Sequence, residues 1–591
     1  MTSTIPAANE PPFLSLRAVE VAHTLTLAEL MVWPVQTVEA DATVIHARQS
    51  LERWQLSALV VMKNGQPLGI VTLRLLSALH AHGLDGLPVS SVVLPAPICA
   101  PEQTLADASA LLQTSFSRLL LIVAEERLLG VITRTRLLQA IALGLPPSWS
   151  VSLETLDPSQ QQLLQCAQHV AALHPVRVCM VGGIVRDLLL QRPSDDLDLM
   201  VEGTAEAVEA FVSGLQRQLG ASRLDHGRFG TAVLGLPDGR HLDIALARRE
   251  YYAQPAVLPS VEPGSLTLDL RRRDFTINSM AVRLEGVQAG QLLDPTGGLV
   301  DLKAGRVRVL HPLSFIDDPT RIFRALRFAT RLNFELEPET HRLAKQALTL
   351  GMVERLSPER LAYEVERMLM EPTAADCLQS LSAMGGLGSL RLERLEPMSL
   401  ALLRLPAHAW QALERLFQRA ELPLPERLTL RLLMLGLGLE QAAQGPFLAR
   451  LAIRGALAEK MRWVWQCFPV TMEVLQAARR PSERVEVLER LPVEGWALLA
   501  LTLLPTDEND PLANEARPLF SSDVWPVLVH FLTHERRVKS PLNGHQLQAL
   551  GVKPGPLLKR WLLALRVRVL DEGLELAEAE AWVRADPALP P

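Results

Sequence analysis

Residues 181–203, VGGIVRDLLLQRPSDDLDLMVEG, bring a glycine pair, an arginine and an Asp-x-Asp step into one short segment. Asp196 and Asp198 lie two residues apart, so on a β-strand their carboxylates leave the same face about 6.6 Å apart along the chain. Hard oxygen ligands in that arrangement suit Mg²⁺. Two such ions about 3.5–4 Å apart lower the pKa of an attacking hydroxyl and neutralise a leaving pyrophosphate. Asp243, in the alternating segment HLDIALA (241–247), is a third carboxylate that a neighbouring strand can bring. Gly182 and Gly183 follow an apolar run ending at Met180 and Val181 and precede helical spacing from Ile184 to Leu190. They therefore mark a strand-to-helix turn at which backbone can approach a phosphate. Arg186, in the first turn, adds a charge-assisted contact to the same anion. Each feature alone is ordinary, since Gly-Gly is usually a turn and an Asp-x-Asp step a solvated strand face, the reading that suits Asp195. Their order within one strand–helix–strand unit is what points to metal-assisted nucleotidyl transfer.

The elements that must position this chemistry continue downstream. In RRRDFTINSMAV (271–282), Arg273 can grip triphosphate oxygens, while Asp274 and Asn278 offer contacts to a sugar or base; an isolated arginine triplet is as often a solvated loop. In FIDDPTRIFRALRFATRL (315–332), Asp318 is placed to cap a helix with Pro319 at its first position. Arg321, Arg324 and Arg327 recur every third residue and line a polar surface, opposite Ile322, Phe323, Leu326 and Phe328. A carboxylate and an arginine one turn apart match the donors and acceptors on the edge of a base; in isolation the pattern is an ordinary intrahelical ion pair.

Taken in order, these motifs resemble the class II tRNA nucleotidyltransferase and bacterial poly(A) polymerase family, of the DNA polymerase β-like nucleotidyltransferase superfamily, over roughly residues 175–370. The resemblance implies that Gly182, Gly183, Arg186 and Asp187 form the glycine–arginine signature, and that Asp196 and Asp198 bind two Mg²⁺ ions. It further implies that residues 273–278 hold ribose and phosphate, and that Asp318, Arg321, Arg324 and Arg327 read the base of ATP or CTP without a nucleic-acid template. DPTGGLVDL (294–302) resembles the connector from head to neck, and SPERLAYEVERML (357–369) the capped helix that closes the neck, with Ser357 as cap and Pro358 at the first position. The chain departs from the pattern in carrying Asp317 where the family usually has Glu.

The N-terminal region carries an internal repeat with an offset of 61 residues, in which Pro34, Thr43, Gly69 and Thr72 map onto Pro95, Thr104, Gly130 and Thr133. Two β-α-β-β-α units sharing one core are expected, since a unit this small buries little surface alone. They resemble a tandem pair of cystathionine-β-synthase-type (CBS) domains at about 24–145. Many such pairs hold a nucleotide ribose with an Asp three residues after the repeat threonine. Here Leu75 and Arg136 occupy those positions, which favours a structural or dimerising module over a nucleotide sensor.

With 591 residues the chain has room for three or four domains, and the expected order is the CBS pair, a head at 160–300, a helical neck at 301–370, and a body and tail at 371–591. The corresponding fold class is multidomain: an α/β CBS pair, an α+β polymerase-β-like head, and an all-α neck, body and tail. A net charge of −6 requires a polyanionic partner to be held by local patches. The clearest patch is 531–570, where Arg536, Arg537, Lys539, Lys553, Lys559, Arg560, Arg566 and Arg568 face a single acid, Glu535. This stretch also resembles the family's tail and is the expected contact with RNA. Trp410, Trp463 and Trp465 are expected in the core, and His226 is expected to be structural. Five scattered cysteines indicate neither zinc nor a disulfide framework and fit a reducing cytoplasm, and no run suits a signal peptide or membrane span.

The resulting expectation is a cytoplasmic enzyme adding C and/or A from CTP or ATP to the 3′ end of tRNA, with a homodimer formed through the CBS pair. Three alternatives stay open: a poly(A) polymerase, an enzyme adding only CC or only A, and an inactive RNA-binding or regulatory protein. The resemblance implies that choice among the first two rests partly on a mobile loop, here at about 249–270, and on neck geometry.

Overall fold

Each N-terminal repeat folds as its pattern requires. In the first, the strand Thr37–Glu39, helix Val44–Arg53, strands Ala58–Lys63 and Gln66–Thr72, and helix Leu73–Ala81 form a three-stranded sheet with two helices. The second copy repeats this from Ile98–Cys99 to Arg134–Ala142. Even the irregularities repeat, since the hairpin register shifts at Val61/Met62 in one copy and at Ile122/Val123 in the other. Val60 and Ile70 of the first copy and Leu119 and Leu121 of the second belong to one buried cluster, which is the shared core expected. Leu75 and Arg136 occupy equivalent places, each backbone N–H donating to its repeat threonine (Thr72 and Thr133) at the start of a helix. After the pair, the strand Ser148–Val151 lies antiparallel to Leu16–Val19, and the Val151 N–H donates to the Gly290 carbonyl at 2.8 Å.

This computed structural model describes residues 16–19, 27–32, 35–53, 56–115, 117–142, 148–194, 196–226, 231–251, 260–286, 289–504 and 524–585. Pro34, Asp195, the centre of the loop expected at 249–270 and the side chain of His226 lie outside them. The chain forms two compact units, Met1–Asp317 and Asp318–Pro591.

The second half of the first unit is a seven-stranded mixed sheet. Its strands are β1 (Arg177–Val181), β2 (Leu197–Glu202), β3 (Ser222–His226), β4 (Thr231–Gly235), β5 (His241–Leu246), β6 (Ala281–Arg283) and β7 (Leu292–Leu293), in the order β3-β4-β5-β2-β1-β6-β7. Central β1 and β2 are buried along nearly all their length and mostly apolar, as strands covered on both faces are, with Asp198 the partly exposed exception within β2. Helix α1 (Gly183–Leu189) follows β1, α2 (Ala205–Leu219) follows β2, and α3 (Leu266–Arg271) precedes the arginine triplet's last member and β6. The Thr204 side chain caps α2 at its start and Gly220, in the left-handed region, ends it.

Among its described residues, the regular structure of the second unit is helical apart from the two-residue strand Glu335–Leu336. Helix α4 (Thr320–Leu332) packs on α5 (Pro358–Met370), and α5 starts as expected, with Ser357 accepting from the Arg360 N–H and Pro358 in the first turn. The start of α4 differs from expectation. Pro319 is the cap residue, in helical φ/ψ, and Asp318 lies one residue outside while still accepting from the Thr320 N–H. The tryptophan expectation holds for Trp410 and Trp465, which are buried, and fails for Trp463, which is 49 % exposed. Positions 463 and 465 are two apart on the helix Gly455–Ala477, roughly 200° around its axis, so they cannot share one buried face. No helix of the described residues is long and apolar enough to cross a membrane.

Candidate functional site

In the first unit, β1 runs into Gly182 with φ +79° and ψ −132°, a conformation open to glycine alone, and α1 begins at the next residue. The missing side chain has a second use. A Cβ at Gly182 would lie 2.8 Å from Arg273 Nη1 and 3.7 Å from Asp198 Oδ2, so the bare backbone is what lets a cation and an anion meet over the turn. At seven residues, α1 is a short helix, and the concentrated positive charge at the elbow is the Arg273 guanidinium.

Asp198 lies on β2 and Asp243 on β5, adjacent parallel strands in which the two residues are direct register partners and share a face. Asp196 precedes β2 and is exposed. Burial first, and then the Asp243 carboxylate, push the Asp198 carboxyl up to about 6; Arg273 pulls it down and Asp196 adds to the upward push. A group of like charges that depresses its own ionisation is relieved by a cation, so the donor set fits a hard divalent ion. The carboxylates are arrayed along adjoining strands rather than closed into a cage; among the described residues no three His, Cys, Asp or Glu side chains converge to hold a metal.

The RRRDFTIN segment meets the elbow because β6 pairs with β1, with Ala281 opposite Val181, and because the Gly182 N–H donates to the Met280 carbonyl. Arg186 has protein partners that its spacing in the sequence does not reveal. It is 3 % exposed, and its Nε and Nη2 donate to the two oxygens of Asp187 at 2.9 and 2.8 Å while Nη1 donates to Asn278 Oδ1 at 2.7 Å. Asn278 Nδ2 then donates to Asp274 Oδ1 at 3.1 Å. Asp187, Arg186, Asn278 and Asp274 are thus a buried hydrogen-bonded chain, in which Arg186 braces Asn278 through Nη1. Three further groups went unnoticed in the sequence. Asp269, fully buried, holds Arg272 and Arg273. Asp301 accepts from the Thr276 hydroxyl at 2.7 Å and from Arg308. Asp294 accepts from the Gly298 and Leu299 N–H groups at 2.7 and 2.9 Å, fixing the turn inside the connector. An acid four residues before an arginine at a helix end was the available signal for Asp269.

In the second unit, Asp318 Oδ1 accepts from Thr320 N and Oγ1, at 3.1 and 2.6 Å, and from Arg360 Nη2 at 2.9 Å. The three arginines of α4 do not form the polar surface expected. Arg321 and Arg327 are 5 % and 6 % exposed, and opposite Arg327 α5 supplies the buried acid Glu364. Glu364 approaches Arg327 at 3.5 Å and Arg324 at 4.0 Å, and Glu371, just beyond α5, approaches Arg327 at 3.7 Å. Burial raises the Glu364 carboxyl against the pull of these arginines. Beside this network a cleft of about 350 Å³ is lined by Thr320, Glu359, Arg360, Tyr363 and Glu364.

The tail patch divides in two. Arg536 and Arg537 both donate to the Ala420 carbonyl at the end of the helix Ala407–Ala420, and Arg537 also pairs with Glu421 at 3.0 Å. Arg566 is paired with Glu489 and Arg568 with Glu572. Lys539, Lys553, Lys559 and Arg560 are exposed, the last three flanking Gly555 at the start of the helix Pro556–Glu572.

A glycine elbow, paired strand carboxylates and a facing arginine define a nucleotidyltransferase head, and the comparisons with known proteins agree. Residues 178–308 match the poly A polymerase head domain, and residues 27–80 and 89–143 each match a CBS domain. The chain is 36 % identical over 386 residues to an A-adding tRNA nucleotidyltransferase of Geobacter sulfurreducens, covering 62 % of this chain but only 43 % of that longer protein. It is 33 % identical over 425 residues to an A-adding tRNA nucleotidyltransferase of Halalkalibacterium halodurans, covering 69 % of this chain and 88 % of the relative. Among solved structures, the Thermotoga maritima CCA-adding enzyme complexed with tRNA superposes with a TM-score of 0.57 at 28 % identity, over 73 % of this chain and 97 % of that one. The chain belongs to the tRNA nucleotidyltransferase family.

Proposed function

We infer that the protein transfers a nucleotide from ATP or CTP to the 3′ hydroxyl of tRNA with release of pyrophosphate. The observation that carries this reading is the meeting of Asp198 and Arg273 over Gly182, with Asp243 in register beside Asp198. Arg273 holds triphosphate oxygens at the elbow, where a Cβ on any other residue would intrude. Asp274 and Asn278, held by Arg186, orient the sugar, and Asp318 with Arg321 reads the base edge, with Arg324 and Arg327 fixed behind them by Glu364. Asp196, Asp198 and Asp243 would hold two Mg²⁺ ions, which when bound make the attacking hydroxyl more acidic and offset the charge of the leaving pyrophosphate. Lys539, Lys553, Lys559 and Arg560 contact the RNA backbone. The names of both curated relatives favour addition of the terminal A to tRNA ending in CC. The cytoplasm is the matching compartment, and exposed Leu68, Leu84, Leu94 and Ile98 on the CBS pair support dimerisation there.

The test offers labelled ATP and CTP separately to tRNA lacking its 3′ end, ending in C, and ending in CC. Incorporation of A on the CC-ending substrate alone is expected; incorporation of C reassigns the specificity, and no incorporation on any substrate overturns the reading. Asp196→Ala and Asp198→Ala are each expected to abolish incorporation with tRNA binding retained, and full activity in either refutes the metal ligands.

A further inference from the structure

We propose that Asp269 is a positioning residue for nucleotide binding, setting the Arg273 guanidinium over the glycine elbow and tying it to the strand that carries Asp243. This rests on the nucleotidyl-transfer reading above. Asp269 sits in α3, whose start is capped by the Ser265 side chain accepting from the Leu268 N–H, and its carboxylate has 0 % exposure. A buried carboxylate persists only when donors surround it. Here Oδ1 accepts from Arg272 Nε at 2.9 Å and from the Arg248 backbone N–H at 3.2 Å, while Oδ2 accepts from Arg273 Nε at 3.4 Å.

The edge by which Arg273 is held matters. A guanidinium has five N–H donors in a fixed plane, so gripping it by Nε directs the Nη end elsewhere. The Nη1 atom is the one that lies against the bare face of Gly182, beside Asp198. Asp269 thereby turns a flexible side chain into a fixed anion clamp with its terminal donors at the elbow. The Arg248 contact adds a second constraint. Arg248 follows Ala247, the residue next after β5, and the Ala247 carbonyl accepts from the Gly264 N–H just ahead of α3. One carboxylate therefore ties the helix preceding Arg273 to the backbone two residues beyond the strand bearing Asp243. It also offsets charge among three consecutive arginines, 271 to 273.

The test is a double-mutant cycle on the full-length protein, with ATP affinity and the KM and kcat for addition to CC-ending tRNA as readouts. Asp269→Asn is expected to raise the KM and Kd for ATP about tenfold to a hundredfold, the range for a misplaced charge-assisted contact. In an Arg273→Ala background the same substitution is expected to change them less than twofold, because the group it positions is gone. A carboxylate that only supports the fold predicts equal losses in both backgrounds, carried in kcat and melting temperature. That result overturns the proposal, as does an unchanged ATP affinity in the Asp269→Asn single variant. Should Asp269→Asn not fold, the cycle is run as Asp269→Asn/Arg272→Gln against Arg272→Gln, where the surplus buried charge is removed and the same two outcomes are read. Inactivity of the wild-type protein on every tRNA would instead fail the underlying nucleotidyl-transfer reading.

Discussion

Gly182→Ala tests the geometry at the centre of the site. Alanine would have to hold φ near +79° with ψ near −132°, which costs about 1–3 kcal/mol of backbone strain. Its Cβ would also arrive 2.8 Å from Arg273 Nη1, closer than carbon and nitrogen tolerate, so the guanidinium must leave the elbow. Arg273 is oriented by one side-chain contact to Asp269, whereas β1 and β6 are paired through their backbones, so the arginine gives way before the sheet does. Loss of one charge-assisted contact to a triphosphate, about 1.5–3 kcal/mol, corresponds to about a tenfold to hundredfold fall in kcat/KM for ATP. The matched control is Gly183→Ala. That position is helical, and its Cβ would lie 3.6 Å from Arg186 Nη2, an ordinary contact. Steady-state incorporation with ATP varied at saturating tRNA, with melting curves for both variants, separates strain from clamp displacement. A Gly182→Ala protein that folds and keeps a kcat/KM within twofold of wild type would refute the role assigned to the bare backbone.

Three further outcomes follow from the geometry. Asp198 titrates near 6 in the folded protein, above its unfolded value, so the native state holds the extra proton between about pH 4 and 6 and its stability falls as pH rises through that window. In chelator-treated protein Asp198→Asn is therefore expected to melt above wild type at pH 7, by no more than about 2–3 kcal/mol, with the gap closing near pH 4; a gap independent of pH contradicts the assignment. Arg360→Ala releases Asp318 from its 2.9 Å partner and is expected to raise the KM for ATP about tenfold while kcat changes less, as measured by competition between ATP and CTP; unchanged discrimination sinks the link between that pair and base reading. Replacing Lys553, Lys559 and Arg560 together with alanine is expected to lower the salt slope of tRNA binding by about 2–3 with the ATP KM unaltered, and an unaltered slope removes this patch from the RNA interface.

What the sequence made legible was local, and what it hid was who pairs with whom. The 61-residue repeat survives in the structure down to the place where each hairpin shifts register, because a repeat copies its own turns and bulges. The elbow, the strand carrying Asp198 and the capped helix at Ser357 were likewise readable from spacing. Arg186 and Arg321 show the boundary. Their types and positions suit an anion, and spacing along one chain cannot reveal that Asn278, 92 residues away, meets the first, or that the second is buried. The same limit explains the tail, where Arg536 and Arg537 look like a basic patch and turn out to close the end of a helix more than a hundred residues earlier.

Each of the two units meets this pairing problem in the same way, with acids behind the arginines of its candidate residues. Asp269 stands behind Arg273 in the first unit, and Glu364 and Glu371 stand behind Arg324 and Arg327 in the second. Arginine retains its charge when buried, so its cost is the loss of water, and an acid placed behind it offsets that cost while fixing the direction of the remaining donors. An arginine held from behind presents its free N–H groups in one orientation before substrate arrives, so less rotamer entropy is lost on binding than for an exposed lysine. Under the proposed function, in which side chains select the nucleotide in place of a template, that rigidity serves selection directly. Substituting the backing acid is therefore a sharper probe than substituting the arginine, since it removes the orientation and leaves the charge.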